Sequence, residues 1–96
     1  MIAGNFKTYE LTIANAGHGE LDLSDIVSSE YQARIHPGAT GVRLLITPSS
    51  STTVADAQDF LLDNDENVYE LGRGLSRLSF YNGSGGQVKV SVVVMF

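Results

Sequence analysis

Residues 63–67, Asp-Asn-Asp-Glu-Asn, concentrate the oxygen-bearing side chains that bind hard cations. Acidic and amide oxygens at alternating positions begin the calcium loop of an EF-hand. That loop also needs glycine at its sixth position and glutamate at its twelfth, where this chain has Val68 and Gly74. The EF-hand assignment therefore fails. We interpret the segment as an acidic hairpin turn held by local Asp and Asn hydrogen bonds, with a looser calcium site as the alternative.

The two histidines, His18 and His36, are the candidate metal ligands or catalytic bases. Neither belongs to the H-E-x-x-H motif of zinc proteases, and the chain has no cysteine that could supply a thiolate ligand. The serines include no G-x-S-x-G nucleophile elbow. Each histidine lies beside a turn, where a solvated side chain is ordinary. We therefore predict no catalytic residue, no metal site and no cofactor, and expect that the protein is not an enzyme.

Two tyrosines and two arginines are candidates for binding. Tyr69 and Tyr81 could form a platform on which a sugar ring stacks, although aromatic residues at alternating strand positions more often belong to the core or its rim. Arg73 and Arg77 flank a Gly-Leu-Ser segment and could bind an acidic partner surface through bidentate guanidinium contacts. Solvated charge in a turn is the competing interpretation of both arginines.

The composition restricts the class of protein. The 96 residues are enough for one domain, 1–96, and the net charge is −5. The six Lys and Arg residues are scattered rather than clustered, which argues against nucleic-acid binding. No apolar run approaches the roughly 20 residues of a membrane-spanning helix, and the first residues lack the basic-then-apolar order of a signal peptide. We expect a soluble protein without nucleic-acid or membrane partners.

The elements that must position these side chains are strands, because apolar residues recur at every second position through most of the chain. Tyr9, Leu11 and Ile13 alternate with polar residues, and the denser run at 42–47 is typical of a central strand ended by Pro48. Seven or eight short strands at a spacing of roughly 8–12 residues predict an all-β fold. We expect a single antiparallel β-sandwich or jelly-roll-like domain.

Residues 53–62 allow two interpretations. Thr53 with Asp56 resembles a helix-capping pair, and the apolar residues that follow fall near helical spacing. Residues 60–62, Phe-Leu-Leu, are equally compatible with an extended strand, because the segment is short and strands flank it. Both interpretations stay open at this point.

The last nine residues, 88–96, carry the strongest strand signal in the chain. One face of the strand begins polar, at Lys89 and Ser91, and becomes apolar at Val93 and Met95. We predict that 75–81 and 86–96 form a closing hairpin, and that the final strand is an edge strand whose second apolar face meets a neighbouring chain. The face that we assign to the core has period two and consists of Val88, Val90, Val92, Val94 and Phe96.

The Gly/Ser-rich turn that precedes this strand contains two superficial motifs. Residues 83–86 resemble a phosphate-binding loop, but they precede a strand rather than the helix whose N-terminus would bind the phosphate. Residues 82–84, Asn-Gly-Ser, match an N-glycosylation acceptor. We interpret both matches as incidental to a turn.

From residue 35 onward the chain resembles small β-sandwich virion proteins of tailed bacteriophages. The residues that carry the resemblance are Asp-Phe-Leu-Leu at 59–62 and the segment 68–80, followed by the Gly/Ser turn and the valine-rich last strand. Proteins of this class decorate or cement capsids, often as trimers, or serve as tail and fibre modules. They have no catalytic residues to carry over.

The resemblance implies a virion structural protein, most specifically a capsid decoration or cement protein that binds the outside of a phage capsid and stabilises it through protein–protein contacts. Its partners would be the major capsid protein or other virion subunits, and copies of itself, with a trimer favoured. It would lie on the capsid surface after a soluble phase in the host cytoplasm. A tail or fibre module is the alternative, although no shaft-like repeat occurs. A carbohydrate-binding module is the alternative from another class. The predicted interface residues are Val93, Met95 and Phe96, with Arg73 and Arg77 as secondary candidates.

Overall fold

The structure, a computed structural model, describes residues 4–25, 30–47, 58–63, 65–75 and 77–96, and these residues form eight β-strands and one 3-10 turn at Arg73–Leu75. The predicted all-β class is confirmed. Within the described ranges, no helix is long and apolar enough to cross a membrane. The strands are β1 (Phe6–Ile13), β2 (His18–Asp22), β3 (Glu30–His36), β4 (Val42–Thr47), β5 (Gln58–Leu61), β6 (Asn67–Gly72), β7 (Arg77–Asn82) and β8 (Val88–Met95).

The strands form two four-stranded antiparallel sheets that pack face to face. Sheet A has the order β1-β8-β3-β6, and sheet B has the order β2-β7-β4-β5. Among the strands that the structure describes, β4 and β5 are the one consecutive pair that belongs to the same sheet. Eight strands interleaved in this way between two sheets are the arrangement of a jelly roll.

The core lies between the sheets and is built from alternate residues of each strand. The valine face of β8 points inward, as predicted, and every second residue of β4 meets it from sheet B. The largest side chains that are fully enclosed there are Tyr31 and Phe80. The other buried core residues of the central strands are Ala33, Ile35, Val42, Leu44, Ile46, Leu78, Val88, Val90, Val92 and Val94.

The final strand is an interior strand, so its prediction as an edge strand is wrong. On one side β8 pairs with β1, from Phe6 opposite Met95 to Ile13 opposite Val88. On the other side it pairs with β3, from Gln32 opposite Met95. An interior strand of a sandwich buries one face in the core, and pairing on both sides protects its backbone from solvent. The apolar residues of its second face therefore lie in the middle of an exposed sheet surface.

The predicted closing hairpin is also wrong. Strand β7 belongs to sheet B and β8 to sheet A, so residues 83–87 carry the chain from one sheet to the other. Glycine and serine suit either kind of turn, and the alternation of apolar residues reports which face a side chain occupies rather than which strand it pairs with.

Strand β5 decides part of the open question at 53–62. Residues 58–61 are extended and pair with β4, with Phe60 opposite Leu44. The helical interpretation is therefore wrong for these residues, whereas 53–57 lie outside the described residues. The predicted central position of β4 is confirmed, because it lies between β7 and β5.

A buried asparagine fastens two turns at one end of the sandwich. The Nδ2 of Asn82 donates to the carbonyl oxygens of Ile13 at 3.0 Å, Ala14 at 3.1 Å and Gly86 at 2.7 Å. Its Oδ1 accepts from the backbone nitrogen of Ser84 at 3.0 Å and from the Ser84 hydroxyl at 2.6 Å. The amide is fully enclosed and already bonded. The glycosylation motif at 82–84 therefore presents no accessible acceptor nitrogen in the folded protein.

A third turn reaches the same end of the sandwich by backbone contact. The nitrogen of Gly83 donates to the carbonyl oxygen of Gly41 at 3.0 Å. A Cβ atom on Gly83 would lie 2.8 Å from that oxygen, which is closer than side chains tolerate. Gly41 itself has a φ of 92°, a left-handed conformation that favours glycine. The absence of side chains at these two positions is what allows the β3–β4 and β7–β8 turns to meet.

Candidate functional site

The acidic turn at 63–67 is organised by an asparagine side chain. The Oδ1 of Asn67 accepts from the backbone nitrogen of Asp63 at 2.9 Å, and its Nδ2 donates to the carbonyl oxygens of Asp63 at 3.0 Å and Ile35 at 3.3 Å. The predicted local hydrogen bonds of the turn are confirmed, but its prediction as a hairpin turn is wrong, because β5 and β6 belong to different sheets. Glu66 forms an ion pair with Arg34 at 3.2 Å. Among the described residues, no group of three His, Cys, Asp or Glu side chains is placed to hold a metal ion.

The two histidines lie on opposite sides of the molecule. His36 is on the outer face of sheet A, opposite Ser91 in the register. His18 is on the outer face of sheet B, where its ring packs against that of Tyr81 with centroids 5.0 Å apart. Since the whole sandwich separates them, His18 and His36 cannot act in one site.

Tyr69 packs at the rim of the core, between the two sheets. This position agrees with the prediction of rim packing, the alternative to a sugar-stacking role. The Tyr69 ring lies 5.5 Å from that of Phe60, which belongs to the other sheet. Burial, with a smaller contribution from the charge of Asp63, raises the pKa of the Tyr69 hydroxyl. Tyr81, by contrast, belongs to the outer face of sheet B.

The outer face of sheet A carries an apolar surface that we call the sheet A patch, consisting of Phe6, Val93, Met95 and Val68. Phe6 is directly opposite Met95, and Val93 lies two residues before Met95 on the same face. Phe6 is 70% exposed and Val68 is 48% exposed, whereas Val93 and Met95 are half-buried. Arg34 of β3 is opposite Val93 on one side and Val68 on the other. Phe6, Met95 and Val93 thus form a continuous apolar surface over β1 and β8, and Arg34 separates them from Val68 on the edge strand β6.

Phe96 does not belong to this patch. It follows the inward-facing valines and packs, partly buried, against the core. Its backbone nitrogen donates to the carbonyl oxygen of Asn5 at 2.9 Å, and its carbonyl oxygen accepts from the nitrogens of Asn5 at 2.8 Å and Gly4 at 3.2 Å. Of the three primary interface residues predicted, the structure therefore brings together Val93 and Met95 and turns Phe96 to the other side of the sheet.

The secondary candidates lie elsewhere. Arg73 begins the 3-10 turn, and its side chain is outside the described residues. Arg77 is on the outer face of sheet B, where its guanidinium is 3.5 Å from the carboxylate of Glu20. The predicted residues therefore do not form one surface. Phe6 and Val68 were missed, because recognising them requires the strand register that places them beside Met95 and Arg34.

Concave regions of the described surface include one on each sheet. One, of about 390 Å³, lies on the outer face of sheet B and is lined by His18, Gly19, Glu20, Leu45 and Ser79. The other, of about 340 Å³, lies where β3 and β6 meet and is lined by Glu30, Tyr31, Glu70, Leu71 and Gly72. At the second region the Tyr31 hydroxyl donates to the carbonyl oxygen of Leu75. Burial raises the pKa of this hydroxyl to about 12.

Comparison with known proteins identifies the fold and no family. No family model and no curated protein sequence matches the chain. Among solved structures, a cupin domain from Bordetella pertussis is similar at a TM-score of 0.59 and 18% identity, over 100% of this chain and 86% of that one. A mitogen from Yersinia pseudotuberculosis is similar at a TM-score of 0.65 and 16% identity, over 98% and 86%.

A third similar structure is RmlC from Streptococcus suis, solved in complex with dTDP-D-xylose. Its TM-score is 0.59 at 16% identity, over 97% of this chain and 45% of that one. The names of the three proteins differ, although the architecture is shared. The class that these similarities define is therefore a jelly-roll domain, and an activity does not follow from that class.

Proposed function

We propose that this protein is a structural component of a virion, most specifically a capsid decoration or cement protein that binds the outside of a phage capsid and stabilises it through protein–protein contacts. The class comes from the resemblance of residues 35–96 to small virion proteins of tailed bacteriophages. The partners are the major capsid protein or other virion subunits and further copies of this chain, with a trimer favoured. The protein is not an enzyme in this proposal, and it resides on the capsid surface.

The single observation that supports a contact function is the sheet A patch. Contiguous exposed apolar side chains mark interaction sites more often than isolated ones do. Phe6 alone leaves most of an aromatic ring in water, and burying a phenylalanine side chain fully contributes about 1.5–3 kcal/mol. Met95 and Val93 continue the same surface on the neighbouring strand.

The polar surroundings of the patch fit an interface as well. On the outer face of sheet A, Arg34 is paired at 3.2 Å with Glu66 of the turn before β6, and Lys89 approaches Glu10 at 3.9 Å. An apolar centre surrounded by charged groups that remain solvated is the usual anatomy of a protein–protein interface. Apolar side chains fill the space between the sheets, which supports a function at the surface rather than in the interior.

Binding of the purified protein to capsids tests this function. Capsids and tails of the same virus, prepared without this protein, are mixed separately with it, and co-sedimentation is measured together with the native mass. We expect an oligomer that sediments with capsids. Val93→Lys should weaken this binding at least tenfold, because it places an unpaired charge in the centre of the buried surface.

Gln87→Lys is the matched control, since it adds the same charge at an exposed residue of the turn before β8, away from the patch. It should leave capsid binding unchanged. Binding to tails alone would support the tail or fibre alternative instead. A folded monomer that sediments with neither capsids nor tails contradicts both.

A further inference from the structure

The cavity on the outer face of sheet B combines side chains of complementary chemistry. It is a depression open to solvent, and its volume of about 390 Å³ falls within the range of about 300–1,000 Å³ that is typical of small-molecule sites. The lining includes a carboxylate from Glu20, a hydroxyl from Ser79 and an aliphatic side chain from Leu45. The imidazole of His18 completes it.

The sheet register fixes these groups relative to one another. Glu20 of β2 is directly opposite Ser79 of β7, and Ser79 is directly opposite Leu45 of β4. The three side chains therefore stand side by side across three neighbouring strands. His18 lies two residues before Glu20 on the same face, and its ring packs against Tyr81. Strands position such groups more rigidly than loops would, so the cavity does not need to form on binding.

The charges at this cavity favour a neutral ligand. Glu20 is the acidic group in its lining, and the guanidinium of Arg77 is 3.5 Å away from that carboxylate. A cation would have to compete with Arg77 for Glu20, and an anion would meet the Glu20 carboxylate directly. With the Glu20 charge paired in this way, the lining suits a ligand that has no net charge, both hydrogen-bond donors and acceptors, and one apolar side.

We propose that this cavity binds a neutral pyranose sugar, either free or at the end of a glycan. Its hydroxyl groups donate to the carboxylate of Glu20 and exchange hydrogen bonds with Ser79 and His18. Its C–H face packs against Leu45. The sheet A patch faces the opposite side of the sandwich, so sugar binding is independent of the proposed capsid contact and leaves that surface available.

Titration of the ¹⁵N-labelled protein with neutral methyl pyranosides, followed by NMR, tests the assignment. The panel contains the gluco, galacto, manno and N-acetylglucosamine forms, with sialic acid and putrescine as charged comparisons. We expect saturable shifts at β2, β4 and β7 with at least one neutral sugar at millimolar concentration, and none with the charged compounds. Glu20→Gln should weaken binding about ten- to a hundredfold, the range for losing a hydrogen bond to a charged group.

Glu70→Gln is the matched control, because Glu70 lines the other cavity, where β3 and β6 meet. The Glu70→Gln protein should bind the same sugar with unchanged affinity. Four results would overturn the assignment: no saturable shift with any neutral pyranoside, shifts confined to β3 and β6, binding of the charged compounds alone, or equal affinity of Glu20→Gln and the unmodified protein. Val93→Lys should bind the sugar normally, so failure of the capsid experiment and failure of this one are distinguishable.

Discussion

The Nδ2 of Asn82 donates to the carbonyl oxygen of Ile13 across 69 positions of sequence. One side chain thereby connects the end of β1 with the turn that precedes β8, and the same amide bonds the Ala14 and Gly86 carbonyls. Since a buried polar atom without a partner is costly, this amide favours the arrangement in which the end of β1 lies against the turn before β8.

Asn82→Ala should lower the free energy of unfolding by about 1–3 kcal/mol, because it leaves the buried Ile13 carbonyl oxygen without its side-chain donor and removes the bonds to the partly buried Ala14 and Gly86 oxygens. Urea unfolding followed by circular dichroism measures the change. Asn15→Ala is the control, because Asn15 is an exposed turn residue, and its effect should stay within about 0.5 kcal/mol. Equal stability of the two variants would show that the amide bonds are replaceable by water.

Gly83→Ala and Gly86→Ala should change stability in different directions. The new Cβ at Gly83 would lie 2.8 Å from the Gly41 oxygen, whereas nothing lies within 4 Å of a Cβ at Gly86. We expect Gly83→Ala to cost about 1–3 kcal/mol of unfolding free energy. Gly86→Ala should be neutral or stabilise by up to about 1 kcal/mol, through the lower entropy of the unfolded chain. Thermal unfolding of both variants measures the two effects. A loss of stability in Gly86→Ala as large as that in Gly83→Ala would contradict the close approach of Gly83 to the Gly41 oxygen.

Substitution of Phe80 and Phe60 by alanine should destabilise the protein to different extents, because Phe80 lies in the core and Phe60 at its rim. Phe80 is fully enclosed, whereas Phe60 is 38% exposed beside Tyr69. Phe80→Ala should cost about 3–5 kcal/mol, because it removes buried surface and leaves a cavity. Phe60→Ala should cost clearly less. Denaturant midpoints measured with equal slopes test this order, and a reversed order would mean that the edge between β5 and β6 contributes more than the centre of the core.

Alkaline pH should destabilise the protein through Tyr31. Burial raises the pKa of the Tyr31 hydroxyl to about 12 in the folded state, above the value near 10 of an unfolded chain. The folded protein thus holds this proton more tightly, and its contribution to stability is complete below about pH 10 and is lost as the pH rises towards 12. Urea unfolding at a series of pH values, with tyrosinate absorbance, measures the loss.

Tyr31→Phe is the control for that measurement. It removes the titrating group, together with the hydrogen bond to the Leu75 carbonyl. The variant should be less stable at neutral pH and should lose less further stability between about pH 10 and 12. The raised pKa of Tyr69 remains in both proteins, so it does not account for the difference. An identical pH dependence in the two proteins would exclude Tyr31 as the cause.

The sequence predicted the strands and their faces because alternation is a local property. Val93 and Met95 could be assigned to the outer face from the period of two alone, and the inward direction of Val88–Val94 followed in the same way. The pairing of strands could not be predicted in this way, because it depends on contacts between residues distant in sequence. The turn at 83–87 therefore suggested a hairpin, although β7 and β8 belong to different sheets.

The candidate surfaces could be predicted only in part, for the same reason. Phe6 is adjacent to Met95 only because β1 pairs with β8, and Glu20 is adjacent to Ser79 only because β2 pairs with β7. Neither pairing can be inferred from spacing along the chain. Phe96 was assigned to the interface because its aromatic side chain suits one. Its position in the alternation places it on the core side instead.

The pairing of the first strand with the last has a consequence for biosynthesis. Sheet A has β8 between β1 and β3, so during translation β1 has no partner strand in its sheet until residues 88–95 have left the ribosome. Contacts so distant in sequence also slow folding, because the intervening chain must be ordered before they form. The nascent chain therefore keeps β1 without its sheet partner until the valine strand has emerged from the ribosome.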